Sequence, residues 1–380
     1  MMPEIALTGC RIVTPDEVVE GSLLLRDGMI AAIDSGGSSV PGALDCGGDF
    51  IMPGMIELHT DNLDKHIAPR PKVHWPAESA VVAHDAQIAT AGITTVFDSV
   101  SIGDVNHSSD RLRTLTDMVE GLVSCQQQDM LRVEHFLHLR CEISHAGLLM
   151  HLGHLAETPS LRLLSLMDHT PGQRQFADLA QYETYYKNKY QLSDSELEAF
   201  IARCRADREE HGDTNRAAVI ELSRRRGIKL ASHDDATPAH AAEAAEAGAV
   251  VAEFPTTFDA AHALRDHAID ILTGAPNMVR GKSHSGNVSA LALAERGLVD
   301  ILSSDYVPAS LLSATFKLVE ELDYTLPQAV RLSTYNPAEA MALDDRGRIE
   351  IGRRADLVRV TQRGSLPVAS MVWCRGQRVA

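Results

Sequence analysis

The chain is expected to fold as an α/β protein, a (β/α)8 TIM-like barrel carrying a small β-sandwich domain built from both termini. Three observations predict it. Between Ile56 and about Asn336, eight short apolar runs alternate with longer segments of helical periodicity, and strand-helix alternation repeated eight times predicts a closed parallel barrel. Both ends of the chain instead alternate short apolar runs with turns, which suggests one β-domain assembled from residues 1–54 and 345–380 around a barrel of residues 55–344. Several apolar runs also end in His, Asp or Glu. In such barrels, chemistry sits at the C-terminal ends of the strands.

Taken in order, residues 4–50 hold IALTGCRIV, GSLLLRDGMIAAID and ALDCGGDFIM, and Arg26-Asp27-Gly28 is a hairpin turn signal. The barrel strands are expected at 56–59, 94–100, 134–142, 161–169, 229–233, 250–254, 270–276 and 300–306. Between them AHDAQIATAG, DRLRTLTDMVEGLVSC, SDSELEAFIARCRADREE, NRAAVIELSRRRG, TPAHAAEAAEAG and NVSALALAERG carry apolar residues at helical spacing. The connection from Pro171 to Gly227 is much longer than its neighbours. Ser193 with Glu196 fits a capping box there, so a helical insertion around 173–216 is expected on the strand-end side, as a lid candidate. ADLVRVT and ASMVWCRGQRVA return the chain to the β-domain.

Composition narrows the function. The formal charge of −17 disfavours a nucleic-acid partner, yet a local cluster of cations can hold a small anion, since screening confines surface charge to about 10 Å at 0.1 M salt. No apolar run is long enough to span a bilayer, and the first residues lack the layout of a signal peptide, so a cytoplasmic protein without a membrane partner is expected. Six scattered cysteines form no CxxC pair, against both a disulfide framework and a thiolate zinc site.

The stretch IMPGMIELHTDNLDKHIAPRPKVHWP organises the rest: an apolar strand empties into His59, Asp61, Lys65, Arg70 and Lys72. Residues i and i+2 of a strand share a face, so His59 and Asp61 can point at one cavity, as can His138, Arg140 and Glu142. Strand ends also deliver His169, His233 with Asp234 and Asp235, and Asp305. A lone histidine of this kind is more often a hydrogen-bonded polar residue, but five strand ends each delivering a ligand type point to a metal. Imidazole with carboxylate suits zinc, manganese, iron or cobalt rather than calcium. Asp305 could ligate the metal and take a proton from water, or merely cap the helix that follows. Cations converge on the same rim: Lys65, Arg70 and Lys72 after the first strand, Gln173 and Arg174 after the fourth, Arg280, Lys282 and His284 after the seventh. RGKSHSGNVSALALAERG sets a polar loop before a helix, an arrangement that favours phosphate. Neither a GxSxG elbow, a Walker loop nor GxGxxG is present.

The amino-terminal β-domain, PGMIELHTD, NPAEAMALDDRGRIEIGRRADLV and the late Asp305 resemble the amidohydrolase superfamily over nearly the whole chain. Within it, ELHTDNLDKHIAPRPKVHWP, HLRCEIS, SLMDHTPGQRQF, ASHDDATPAH, AEFPTT, GAPNMVRGKSHSGNVSA and ILSSDYVPASLL resemble the PhnM family of diphosphatases. The resemblance implies hydrolysis of α-D-ribose 1-methylphosphonate 5-triphosphate to the 5-phosphate and pyrophosphate in the carbon-phosphorus lyase pathway, with zinc, manganese or iron as one or two ions. It implies His59, Asp61, Glu142, His169, His233 and Asp305 as ligands, a phosphorylated sugar as substrate and no bar to a homo-oligomer. Two departures stand out: His59-Thr60-Asp61 replaces the usual HxH, and VVAEFPTT offers Glu253 where many relatives place a histidine. An amide or amine hydrolase and a non-enzymatic assembly protein are the competing expectations.

Overall fold

The computed structural model describes residues 4–38, 40–105, 111–174, 187, 192–281 and 287–380. Strand β1 (Ile5–Val13) pairs antiparallel with β2 (Val18–Arg26), and β2 with β3 (Met29–Ser35). Asp27 and Gly28 link the last two with φ of 50° and 79°, the pair of left-handed residues that a two-residue hairpin turn of matching twist needs. The short β4 (Leu44–Asp45) and β5 (Phe50–Pro53) lie parallel to β1. Beyond β5 the sheet continues with Leu357–Arg363, Leu366–Cys374 and Gln377–Arg378, so both ends of the chain build one β-rich unit.

All eight expected barrel strands form: β6 (Met55–Thr60), β7 (Ile93–Ile102), β8 (Glu134–Glu142), β9 (Leu161–Met167), β10 (Lys229–His233), β11 (Val251–Glu253), β12 (Asp270–Gly274) and β13 (Ile301–Ser303). Each is parallel to the next in chain order. The ring closes where Thr60 bridges Asp305: Thr60 Oγ1 donates to the Asp305 carbonyl at 2.6 Å, and Ser303 Oγ lies 2.6 Å from the His59 carbonyl. Every residue of β7 is buried because side chains fill one face and helices cover the other. Ile56, Phe97, Leu163, Val251, Leu272 and Ile301 belong to one apolar cluster that plugs the interior, leaving the strand-end mouth for polar chemistry.

Two sequence expectations change. β6 stops at Thr60, and Asp61, with φ −97° and ψ 17°, is the N-cap of helix α1 (Asn62–Ile67), so strand spacing does not relate it to His59. The register of β6 against β7 also shifts between Glu57 and Thr60. Two helices expected in the long connection are one, Asp194–Arg226, begun by the Ser193–Glu196 capping box and ended at Gly227 in the left-handed region. Nothing between them breaks a helix: no proline intervenes, and Gly212 packs against Arg208. Residues 175–186 and 188–191 of the lid candidate lie outside the described residues. Among the described residues, no helix is long and apolar enough to cross a membrane.

Helix α2 (Ala77–Thr90) seals a buried polar chain against the outer face of β7 and β8. Asp98 accepts from His84 Nε2 and His135 Nδ1, both at 2.7 Å, while Asp85 accepts from the backbone of Arg132 and Val133 and lies 3.4 Å from His135 Nε2. Burial alone would lower the His135 pKa, but the carboxylates of Asp98 and Asp85 outweigh it and raise it to about 9. A cation with a raised pKa stabilises the fold fully below its unfolded value, about 6.5, and that contribution is lost as pH rises through about 9. His135→Gln is therefore expected to cost more stability at pH 6 than at pH 10. Chemical denaturation of parent and variant should show the gap shrinking by up to the order of 3 kcal/mol, and a pH-independent gap would contradict a charged His135.

Candidate active site

A layer of imidazoles sits directly on the apolar plug. His138 Nδ1 lies 2.9 Å from Ser99 Oγ and 3.0 Å from the Leu58 carbonyl, and its Nε2 meets Ser165 Oγ. His59 stacks on His233 with ring centres 5.5 Å apart and meets His138 edge-on at 5.1 Å. Glu253, wholly buried at the end of β11, binds the layer together: it accepts from Ser165 Oγ at 2.8 Å and His233 Nδ1 at 2.9 Å, and its other oxygen lies 2.9 Å from His59 Nδ1 and 3.5 Å from His138 Nε2. Burial would raise its pKa, but the surrounding imidazoles outweigh that and hold the carboxyl well below its usual range. Burial conversely keeps His138 and His233 neutral, the His138 pKa falling to about 3.

Above this layer the mouth gathers the remaining strand-end residues. His169, two residues past β9, holds Glu142 Oε2 at 2.7 Å through Nδ1, and its Nε2 faces Asp234 Oδ2 at 3.8 Å. The same Asp234 oxygen stands 3.4 Å from His233 Nε2, so one face of His233 belongs to each layer. Burial raises the Asp234 pKa to about 7 despite nearby His169 and Arg140. Burial and then the charge of Asp61 do the same for Asp305, which is held at about 7 while Arg140 and Lys65 pull it down. Asp305 does not cap the next helix, which begins at Ser310.

The cations divide. Half-buried Arg140 shifts Asp305, Asp234, His169 and His233 at once, and its buried Nε has no hydrogen bond. Lys65 reaches over the Tyr306 ring, 5.1 Å from its centre, and donates to the Tyr306 carbonyl beside Asp305. Arg70, Lys72 and Arg280 are exposed. Arg174 is buried and engaged, donating to Asp235 and, at 3.3 Å, to the His233 carbonyl. Lys282 and His284 lie outside the described residues.

The donor set fits a divalent cation. His59 Nδ1 and Glu253 Oε1 are buried 2.9 Å apart yet out of line for a hydrogen bond, and Asp61 Oδ1 and Asp234 Oδ2 are also buried without one. Such atoms are costly unless something satisfies them. His59, His138 and Glu253 converge tightly enough to share an ion, as do His169, His233 and Asp234. Nitrogen and carboxylate donors suit a transition metal. Sequence reasoning noted His138, Asp234 and Glu253 but left them out of the ligand set. The signal was present in strand parity, since His138 lies two and four residues before Arg140 and Glu142 on one face of β8.

A barrel with an acid-and-imidazole mouth and a β-rich unit built from both chain ends is the architecture of a metal-dependent hydrolase. A model of the amidohydrolase family matches residues 77–380, and the chain belongs to that family. It is 49% identical over 375 residues, 98% of this chain and 99% of the other, to the α-D-ribose 1-methylphosphonate 5-triphosphate diphosphatase of Escherichia coli strain K12. Among solved structures, N-acetyl-D-glucosamine-6-phosphate deacetylase from Mycobacterium smegmatis matches 99% of this chain over 100% of its own, with a TM-score of 0.66 at 18% identity. 5-Methylcytosine deaminase from Klebsiella pneumoniae does so over 99% and 97%, at 0.64 and 15%. These two share the fold.

Glu253→Gln is expected to weaken divalent-metal binding by about 10- to 100-fold, as loss of a ligand or its partner does. Mass-spectrometric metal analysis after dialysis against a chelator checks it, with exposed Lys72→Ala as the variant that should retain the parent's metal.

Proposed function

We infer that the protein hydrolyses α-D-ribose 1-methylphosphonate 5-triphosphate to the 5-phosphate and pyrophosphate, as a cytoplasmic enzyme of the carbon-phosphorus lyase pathway. The observation that carries this is the 49% identity, along 98% of the chain, to the Escherichia coli diphosphatase. The cations around the mouth support it, because amide hydrolysis gives Arg140 and Lys65 no comparable task. The six cysteines are buried and none is joined in a disulfide, in keeping with a reducing compartment. The chemistry is assigned to the barrel, residues 55–344, with the β-unit of 1–54 and 345–380 supporting it.

His59, Asp61, Glu142, His169, His233 and Asp305 are the ligand candidates, joined now by His138, Asp234 and Glu253, and zinc is the favoured ion. Bound there, a divalent ion would acidify water towards a pKa of about 7 and draw charge from phosphoryl oxygens. Asp305 receives the proton of the attacking water. In the protein alone, burial and the charge of Asp61 raise its pKa to about 7. The water oxygen bonds to phosphorus as the bridging anhydride bond breaks, and its electron pair leaves with the departing phosphate group. Arg140 faces the negative charge that grows there, and Lys65, fixed against Tyr306, lies on the same rim. His169, held by Glu142, keeps its Nε2 turned towards the mouth.

Pyrophosphate release from the triphosphate, followed by ³¹P NMR in ¹⁸O-water, tests the reaction. The isotope should enter only one product and so report which phosphorus is attacked; turnover of N-acyl compounds without phosphate release would refute the assignment. Asp305→Asn is expected to lower kcat by about 10²- to 10⁴-fold with little change in KM, the size of a lost general base. Steady-state assays at saturating metal check it, and near-normal kcat would remove Asp305 from proton transfer.

A further inference from the structure

The buried chain beneath α2 has a second end, and it reaches the mouth. His84, which gives Nε2 to Asp98, turns Nδ1 to the side-chain amide of Asn62 at 3.0 Å. A carboxylate only accepts and an amide nitrogen only donates, so His84 carries its proton on Nε2 and is neutral. Burial favours the same form, lowering its pKa. The Asn62 amide also donates to Gln87 at 2.9 Å, and Asn62 itself is buried. Asn62 opens α1, and its neighbours there are Asp61, with a buried Oδ1 that has no hydrogen bond, and Lys65, seated on Tyr306 beside Asp305.

A helix of six residues cannot hold its own place, because isolated helices below about 12 residues are marginal in water. Something outside α1 must fix it. Side-chain bonds from Asn62 to His84 and Gln87, and from His66 Nε2 to Gln87 at 2.9 Å, tie it to α2. His84 is in turn fixed by Asp98, whose charge is balanced by the His135 imidazolium between Asp98 and Asp85. The spacing also says what the cluster is not. His84 and His135 nitrogens stand 2.7 Å from separate Asp98 oxygens, hydrogen-bond length, whereas donors around a tetrahedral ion at 2.0–2.1 Å stand about 3.3 Å apart.

We propose that Asn62 and His84 are positioning residues that hold Asp61 at the metal-binding mouth, with the Asp98–His135 pair as their fixed base. This rests on Asp61 being a metal ligand, as read above. Neither residue touches the ion or the substrate; they act through the placement of α1.

The test is a zinc titration of the metal-free full chain in competition with a chromophoric chelator, without substrate. Asn62→Ala and His84→Gln are each expected to bind zinc 10- to 100-fold more weakly than the parent, with unchanged stoichiometry and a thermal midpoint within a few degrees. The decisive comparison is made in an Asp61→Asn background. There, His84→Gln should cause less than a twofold further loss, because a prop has no effect once the group it props is gone, whereas a general loosening of the fold would add its full effect. Zinc affinity within twofold of the parent in both single variants would overturn the proposal, as would full additivity with Asp61→Asn. Loss of a whole bound equivalent in His84→Gln would also overturn it, by making the cluster an ion site in its own right. If His84→Gln fails to fold, Asn62→Ala, which leaves the Asp98 pairing intact, gives the same comparison. The titration uses no substrate, so its outcome for Asn62 and His84 holds whether or not the triphosphate is what the enzyme hydrolyses.

Discussion

The mouth of this barrel depends on a negative charge placed where none should be tolerated. Glu253 is fully buried, and an unpaired carboxylate there would protonate rather than remain ionised. It is held by hydrogen bonds from His233 on β10 and Ser165 on β9, with the rings of His59 and His138 facing it from β6 and β8. That requirement fixes the relative height of those strands and of β11, which are linked into one parallel ladder through β7, β9 and each other. It also orients His233. With Nδ1 engaged by Glu253, Nε2 is turned upward to Asp234, the usual way a partner carboxylate selects which ring nitrogen is offered to a metal.

Two buried polar systems therefore flank the wall formed by β7 and β8. Inside, one Glu253 oxygen accepts from His233 and Ser165 while the other faces His59 Nδ1 with neither atom hydrogen-bonded, the state expected of groups awaiting a cation. Outside, two carboxylates, one imidazolium and one guanidinium balance in charge and meet at hydrogen-bond distances. The contrast sets a candidate binding site apart from a structural network made of the same residue types. Satisfaction of the buried atoms distinguishes them, and residue identity does not.

The barrel was legible because each parallel strand is covered on both faces, so apolar residues recur in it without a strict alternation, as in LRLLSLM. The helices were legible from periodicity, but not the continuity of Asp194–Arg226, since a break is visible in sequence only when a proline or turn makes one. The ligand types at strand ends were likewise apparent. What could not be read was how side chains divide between ligand and prop. Arg174 and Arg140 look alike as rim cations, yet Asp235, sixty-one residues further on, engages the first and leaves the second facing the mouth. Asp61 looked like the next strand residue after His59, and only the start of α1 takes it out of that spacing.

At three strand ends backbone strain accompanies this division. Asp234, Phe254 and Asp305 follow β10, β11 and β13 with φ of 55°, 57° and 50°, in the left-handed region. Aspartate enters it at modest cost through its short side chain, but a bulky residue does so at roughly 1 to 2 kcal/mol and persists only where packing compels it. At Phe254 the compensation is visible: its ring meets His59 edge-on at 4.9 Å and His233 at 5.6 Å, closing the imidazole layer from one side. A regular extension of β11 would carry that ring elsewhere, and the same turn lets the Phe254 amide bond to the Leu272 carbonyl of β12. At three strand ends, then, the chain leaves the strand conformation at the first residue or two beyond it, and in each case the turned residue either lines the mouth or packs the histidines that do. Left-handed φ also occurs away from the mouth, at Asp27, Asp129, Ala268, Ala342 and Arg375, so what sets these three strand ends apart is what the turned side chains meet: the converging charges or the histidine rings.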